Sequence, residues 1–303
     1  MLSVGLLMLS LLAPNLQGQT LNSVKDYFGS SLARLQKEDF EGAINDLTKA
    51  IELDPHYVEA FFVRGQLLFL RKRDLDRALA DYDKVIALAP NAPRVELIYN
   101  NRSVIRQLKG DRDGALRDLN QAININPKYA EAYSDRGLIR AASEDLEGAA
   151  SDYEKAIELN PKLTPAYINR GILRFQLEKL SGALSDYSKA LELTPNSAKT
   201  YVERGIVRSI TGDVGEGIAD MKKGFTLNPE SVSEKDPGDF SSPFKNLNRF
   251  IAAHPTNARA YEARGLLRLV QGHKAEATRD FRKSLELDPK LKSEIDRVMN
   301  AAL

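Results

Sequence analysis

The 303-residue chain has no cysteine and no tryptophan. Without a thiol there is no disulfide staple, thiolate metal site or cysteine nucleophile, though oxidising and reducing compartments both remain open. Histidine is almost absent. His56, His254 and His273 sit at separate turns, with no spacing that would gather ligands around a metal. A dominant charge is also lacking: 43 Lys and Arg offset 42 Asp and Glu, so no net field draws nucleic acid or an anionic membrane surface. No apolar run is long enough to span a bilayer comfortably. No phosphate-cradling glycine loop occurs, because each Arg-Gly pair falls inside a helical pattern, and no carboxylate pair stands apart as an acid and a base. These absences point away from catalysis, metals, cofactors, nucleic acid and an integral membrane span.

The first residues differ from the rest. Leu2 to Ala13 carries no charge, and Pro14, Asn15 and Gln17 end the run before Gly18. Residues 1–18 read as a secretory signal peptide cut after Gly18, or else as an extra amphipathic helix on the first repeat. The first reading implies a secreted or periplasmic protein, the second a cytoplasmic one.

The strongest signal is internal repetition. Prolines recur at Pro55, Pro90, Pro127, Pro161, Pro195, Pro229, Pro255 and Pro289, and most steps are 34 residues, as from Pro127 to Pro161 and from Pro161 to Pro195. The segment Ala132-Tyr133-Ser134-Asp135-Arg136-Gly137 aligns with Ala166-Tyr167-Ile168-Asn169-Arg170-Gly171 and with Thr200-Tyr201-Val202-Glu203-Arg204-Gly205. Each such unit closes like Asp152-Tyr153-Glu154-Lys155-Ala156-Ile157, followed by a proline that stops the helix. Prolines and glycines at this interval rule out a continuous heptad seam.

The pattern resembles the tetratricopeptide repeat (TPR) family across nearly all of Val24 to Pro289. In the unit from Ala130 the family's large, small, aromatic and proline columns are met by Tyr133, Gly137, Ala149, Tyr153, Ala156 and Pro161. The resemblance implies an all-α, right-handed α–α superhelix, or solenoid, of helical hairpins, with Gly137, Gly171, Gly205 and Gly265 clearing the crossing of the two helices. Full units are expected at 24–57, 58–91, 96–128, 130–163, 164–197, 198–231 and 258–290. The second has a surplus residue around Arg71 to Asp74. Residues 232–257 read as a half-repeat, a loop followed by a lone second helix bearing Phe244, Leu247, Phe250 and Ile251. Leu291, Ile295, Val298 and Met299 share one face and predict a capping helix over 291–303.

Two columns depart from many members of that family. One is arginine at Arg64, Arg102, Arg136, Arg170, Arg204 and Arg264, with Ser30 in the first unit. The other is aspartate at Asp46, Asp81, Asp118, Asp152, Asp186, Asp220 and Asp280. They predict a structural ladder of charge-assisted pairs, within or between units. The resemblance further implies a concave channel lined by first helices, which assigns partner contacts to Phe28, Phe62, Gln66, Phe69, Asn100, Ser134, Ile168, Phe175, Val202, Glu262 and Leu269. Some of these side chains can instead be half-buried between neighbouring first helices. The channel is more apolar than charged, which suits an extended peptide or an amphipathic helix. The reading that follows is a non-enzymatic protein-binding scaffold. A structural subunit of a cell-envelope polysaccharide-export or secretion assembly is the alternative.

Overall fold

The computed structural model describes residues 22–72, 74–232 and 242–301. The expected signal segment, and residues 233–241 of the expected loop, lie outside the described residues. Among the described residues there are sixteen α-helices and no strand. They belong to two compact units, residues up to 132 and residues from 133.

The first unit stacks three antiparallel hairpins: α1 (Val24–Gln36) with α2 (Phe40–Leu53), α3 (Val58–Leu67) with α4 (Leu75–Leu88), and α5 (Val95–Leu108) with α6 (Arg112–Ile125). Helix α7 (Ala130–Ala142) spans the division. The second unit continues with α8 (Leu146–Leu159), α9 (Thr164–Gln176), α10 (Leu180–Leu193), α11 (Ala198–Ile210), α12 (Val214–Leu227), α13 (Pro243–Ala253), α14 (Ala258–Val270), α15 (Lys274–Leu287) and α16 (Lys292–Ala301). Each unit is thus built on the α–α solenoid principle, in which a hairpin buries its apolar side only by packing on its neighbour.

Local chemistry sets where the helices begin and end. Asp39, Asp111 and Asp145 precede second helices, and each carboxylate accepts a hydrogen bond from the backbone N–H of Gly42, Gly114 or Gly148 at 2.9–3.0 Å. The turn before each cap passes through the left-handed region, at Gly110, Gly212 and Gly272 but also at Glu38, Glu144 and Glu178. The prolines fall just beyond the second helices, so that α8 ends at Leu159 before Pro161 and α10 at Leu193 before Pro195. The surplus residue of the second unit is absorbed in a π-helical turn, Leu68–Lys72, that extends α3.

Close helix crossing requires glycine at two kinds of contact. A Cβ on Gly171 would lie 2.7 Å from the Tyr187 ring, and one on Gly205 would lie 2.7 Å from the backbone oxygen of Gly217. Tyr82, Tyr153 and Tyr187 fill the space so defined, each at most 1% exposed.

The lone helix α13 does more than the half-repeat pattern indicates. Toward α14 it stands where a second helix would, because Arg264 Nη1 donates to Asn248 Oδ1 at 2.8 Å, the same sixteen-residue relation as Arg204 to Ser188. It also packs against α9 and α11, both first helices, while α14 packs directly on α11 and α12. The final helix α16 carries Ile295, Val298 and Met299 into the apolar cluster of the second unit, with Leu291 just before it.

Candidate functional site

The arginine and aspartate columns meet inside each hairpin. Arg170 donates through Nε and Nη2 to the two carboxylate oxygens of Asp186 at 3.0 and 2.7 Å. The same two-bond fork joins Arg64 to Asp81, Arg102 to Asp118, Arg136 to Asp152, Arg204 to Asp220 and Arg264 to Asp280. The third nitrogen, Nη1, crosses to the preceding unit, from Arg64 to Thr48 and from Arg102 to Asp83. Each guanidinium also lies over the ring three residues earlier, for example Arg136 over Tyr133 at 5.4 Å. In the first unit Ser30 stands in for the arginine and donates to Asp46 at 2.6 Å.

A second arginine, four residues further along the first helix, completes most rungs. Arg106, Arg140, Arg174, Arg208 and Arg268 each reach the Oδ2 of the same aspartate at 2.8–2.9 Å. Reasoning from sequence missed this column, although Arg136 to Arg140 and Arg170 to Arg174 repeat at a one-turn spacing. Asp81 is the exception: Leu68 stands where its second arginine would be, and burial pushes its carboxyl above the usual carboxylate range against the pull of Arg64. With their oxygens occupied by guanidinium groups, the aspartates hold helices together and offer no free base.

The predicted contact residues fall into distinct environments. In the first unit Phe62, Gln66 and Phe69 remain partly exposed, while the neighbouring Phe61, Val63, Gly65, Leu67 and Leu68 are buried. Phe62 and Phe69 still pack against the apolar cluster of this unit, and the three form one half-buried stripe along α3 and its π-helical extension. Gln66 Oε1 is buried without a hydrogen-bond partner among the described residues. Phe28 is also partly exposed and meets Tyr57 edge-on at 5.2 Å. Asn100 and Ser134 are buried.

In the second unit most of the assigned contacts are taken up within the chain. Phe175 is fully buried beneath α13, its ring stacked on Phe250 at 4.5 Å. Val202 is fully buried in its own hairpin against Gly224 of α12. Glu262 is fully buried, with Arg259 bridging it to Glu294 of α16, both contacts at 2.9 Å. Leu269 packs on the apolar cluster of this unit. Ile168 lines a cavity of about 380 Å³ with Ile172, Lys199, Glu203, Leu227 and Asn228. Burial raises the carboxyls of Glu203 and Glu262 to about 7 each. Among the described residues no three His, Asp or Glu side chains converge as a metal site, and no helix is long and apolar enough to cross a membrane.

Tetratricopeptide repeat models match residues 29–93, 130–163, 164–197 and 258–291, and a TPR repeat model matches 108–143. This chain belongs to the tetratricopeptide repeat family. A solved tetratricopeptide repeat protein from Parabacteroides merdae superposes with a TM-score of 0.59 at 22% identity, covering 88% of this chain and 93% of that one. A MamA structure gives 0.50 at 25% identity over 58% and 94%. Peptidyl-prolyl cis-trans isomerase FKBP4 of Bos taurus is 31% identical over 84 residues, 27% of this chain but only 18% of that protein's length. These TPR likenesses support a protein-interaction scaffold in general terms, since TPR proteins bind protein or peptide partners.

Proposed function

We propose that this TPR protein is a non-enzymatic scaffold that holds a partner as an extended peptide or amphipathic helix along the faces of its first helices. The observation carrying this reading is the stripe Phe62, Gln66 and Phe69. Two partly exposed aromatic rings flank an amide oxygen that is buried yet lacks a hydrogen-bond partner. Leaving such an acceptor unpaired costs about 1–3 kcal/mol. Turning the Gln66 side chain outward would let a peptide N–H pair it while apolar side chains settle on the two rings. The test is to select peptides from a displayed library against the full chain and titrate them against Phe62→Ser/Phe69→Ser. At least a tenfold loss of affinity with an unchanged thermal transition supports the proposal. Unchanged affinity on an intact fold overturns it.

The uncharged run Leu2 to Ala13 favours an exported location, and with it a second reading as a structural subunit of a cell-envelope export or secretion assembly. Expression of the full sequence followed by mass determination of the N-terminus tests export. A product beginning at Gln19 supports it, and a retained leader rejects it.

A further inference from the structure

Helix α13 is seated in the second unit in the way a bound partner helix is seated. Phe244, Leu247, Phe250 and Ile251 are each no more than 6% exposed, while Asn248 and Arg249 face solvent. The buried side meets first helices. Phe250 stacks on Phe175 of α9, with the rings 12° from parallel. Gln176 Nε2 donates to the backbone oxygen of Asn246 at 2.9 Å, and Asn246 Nδ2 donates to Glu203 of α11 at 2.6 Å. Four apolar anchors on one face are how an amphipathic helix docks in a groove, and here a buried Asn246–Glu203 hydrogen bond lies among them.

Three features separate α13 from an ordinary core helix. The hairpin order continues without it, since α14 packs directly on α11 and α12. Its seam leaves Glu203 Oε2, Ser242 Oγ and His254 Nε2 buried without hydrogen-bond partners among the described residues. These groups offset part of what the apolar anchors contribute. There is also space beyond its reach: a cavity of about 380 Å³ is lined by Ile168, Ile172 and Glu203 but by no residue of α13, and Glu203, the acceptor of Asn246, joins it to the seam.

We infer that the α9–α11 face is a helix-binding site of which α13 is the resident occupant, displaced by a partner helix of the same anchor pattern. That pattern is a phenylalanine, a leucine three residues on, a Phe-Ile pair after three more, and a side-chain amide two residues after the first phenylalanine. A longer partner helix gains what α13 lacks, an aliphatic side chain over Ile168 and Ile172. It needs that gain, because a tethered segment competes at an effective concentration on the order of millimolar. The inference rests on the reading that first-helix faces receive partners, but it concerns a different unit from the Phe62 stripe.

The test uses a fluorescent peptide of residues 242–254 and the full chain. Against Leu247→Ala/Phe250→Ala, whose own α13 is loosened, the peptide binds at least tenfold more tightly than to the unaltered chain. A peptide with its phenylalanine at 250 changed to serine does not bind. Equal or absent binding by a variant that keeps its helical circular dichroism overturns the inference. If the variant does not fold, hydrogen exchange of the unaltered chain decides: residues 243–253 exchange through an opening that leaves 164–176 and 198–210 protected. Exchange of all three segments in one event overturns it. Loss of this result with retained binding at Phe62 and Phe69 defeats only the inference, and the converse defeats only the proposed function.

Discussion

Asp81 takes both of its arginine hydrogen bonds from Arg64, at 2.9 and 2.7 Å. The equivalent Asp186 is shared by Arg170 and Arg174. The difference comes from Leu68, which occupies the place of the second arginine. Removing Arg64 therefore strands a buried carboxylate, whereas removing Arg174 leaves Asp186 with Arg170. Arg64→Ala is expected to cost about 3–5 kcal/mol and Arg174→Ala about 1 kcal/mol, read by urea unfolding followed by circular dichroism. Equal costs would show that the rungs do not share their aspartates as described.

A double-mutant cycle on Arg170 and Asp186 measures the rung itself. The two-bond geometry predicts a coupling of at least about 1 kcal/mol. A coupling near zero would reduce the ladder to a register device without energetic weight.

Much of this ladder was legible in the sequence, because the two columns recur at fixed offsets and opposite charges at such offsets must meet somewhere. That the carboxylate pairs lie within hairpins, while Nη1 reaches the preceding unit, needed coordinates, since both partners recur at the same interval. The destination of α13 was not legible. Phe244, Leu247, Phe250 and Ile251 specify an amphipathic helix but not which surface it covers, and its contacts with Phe175 and Glu203 are set by residues distant in sequence. Val202 was assigned to the channel by its column, yet Gly224 opposite it opens room inside the hairpin and draws the side chain there.

Glu203 makes the second unit sensitive to pH. Its carboxyl rises from 4.5 to about 7 because burial disfavours the charge, against weaker opposition from Asn246 and Lys199. A raised carboxyl contributes stability that is full below pH 4.5 and is lost as pH rises through about 7. The unit should therefore be more stable at pH 5 than at pH 8, by up to about 3 kcal/mol from this group. Glu203→Gln should stabilise the chain at alkaline pH, do little at acid pH, and reduce the slope of thermal midpoint against pH, with Glu262, also raised to about 7, supplying what remains. A profile unchanged by the substitution would remove Glu203 as its source.

The glycines at helix crossings should not be equivalent. An alanine at Gly171 meets the Tyr187 side-chain ring and no backbone atom, and should cost about 1–3 kcal/mol. At Gly205 it meets the backbone of Gly217, which cannot withdraw without separating α11 from α12. Gly205→Ala should therefore be the more damaging change in denaturant titrations.

Glu144 adopts φ +64° in a turn where Gly110, Gly212 and Gly272 serve elsewhere in the chain. Relief of left-handed strain outweighs the added freedom of the unfolded glycine. Glu144→Gly should stabilise the protein by about 0.5–1 kcal/mol, seen as a higher denaturation midpoint. A lower midpoint would contradict this.

The most direct test of the scaffold account is site-specific photo-crosslinking with a peptide selected against the full chain. A photoreactive residue replacing Gln66 should capture the peptide in high yield. The same residue replacing Lys84, on the exposed side of α4, should not. Capture at Lys84 with none at Gln66 would show that the partner is not held by the first-helix face.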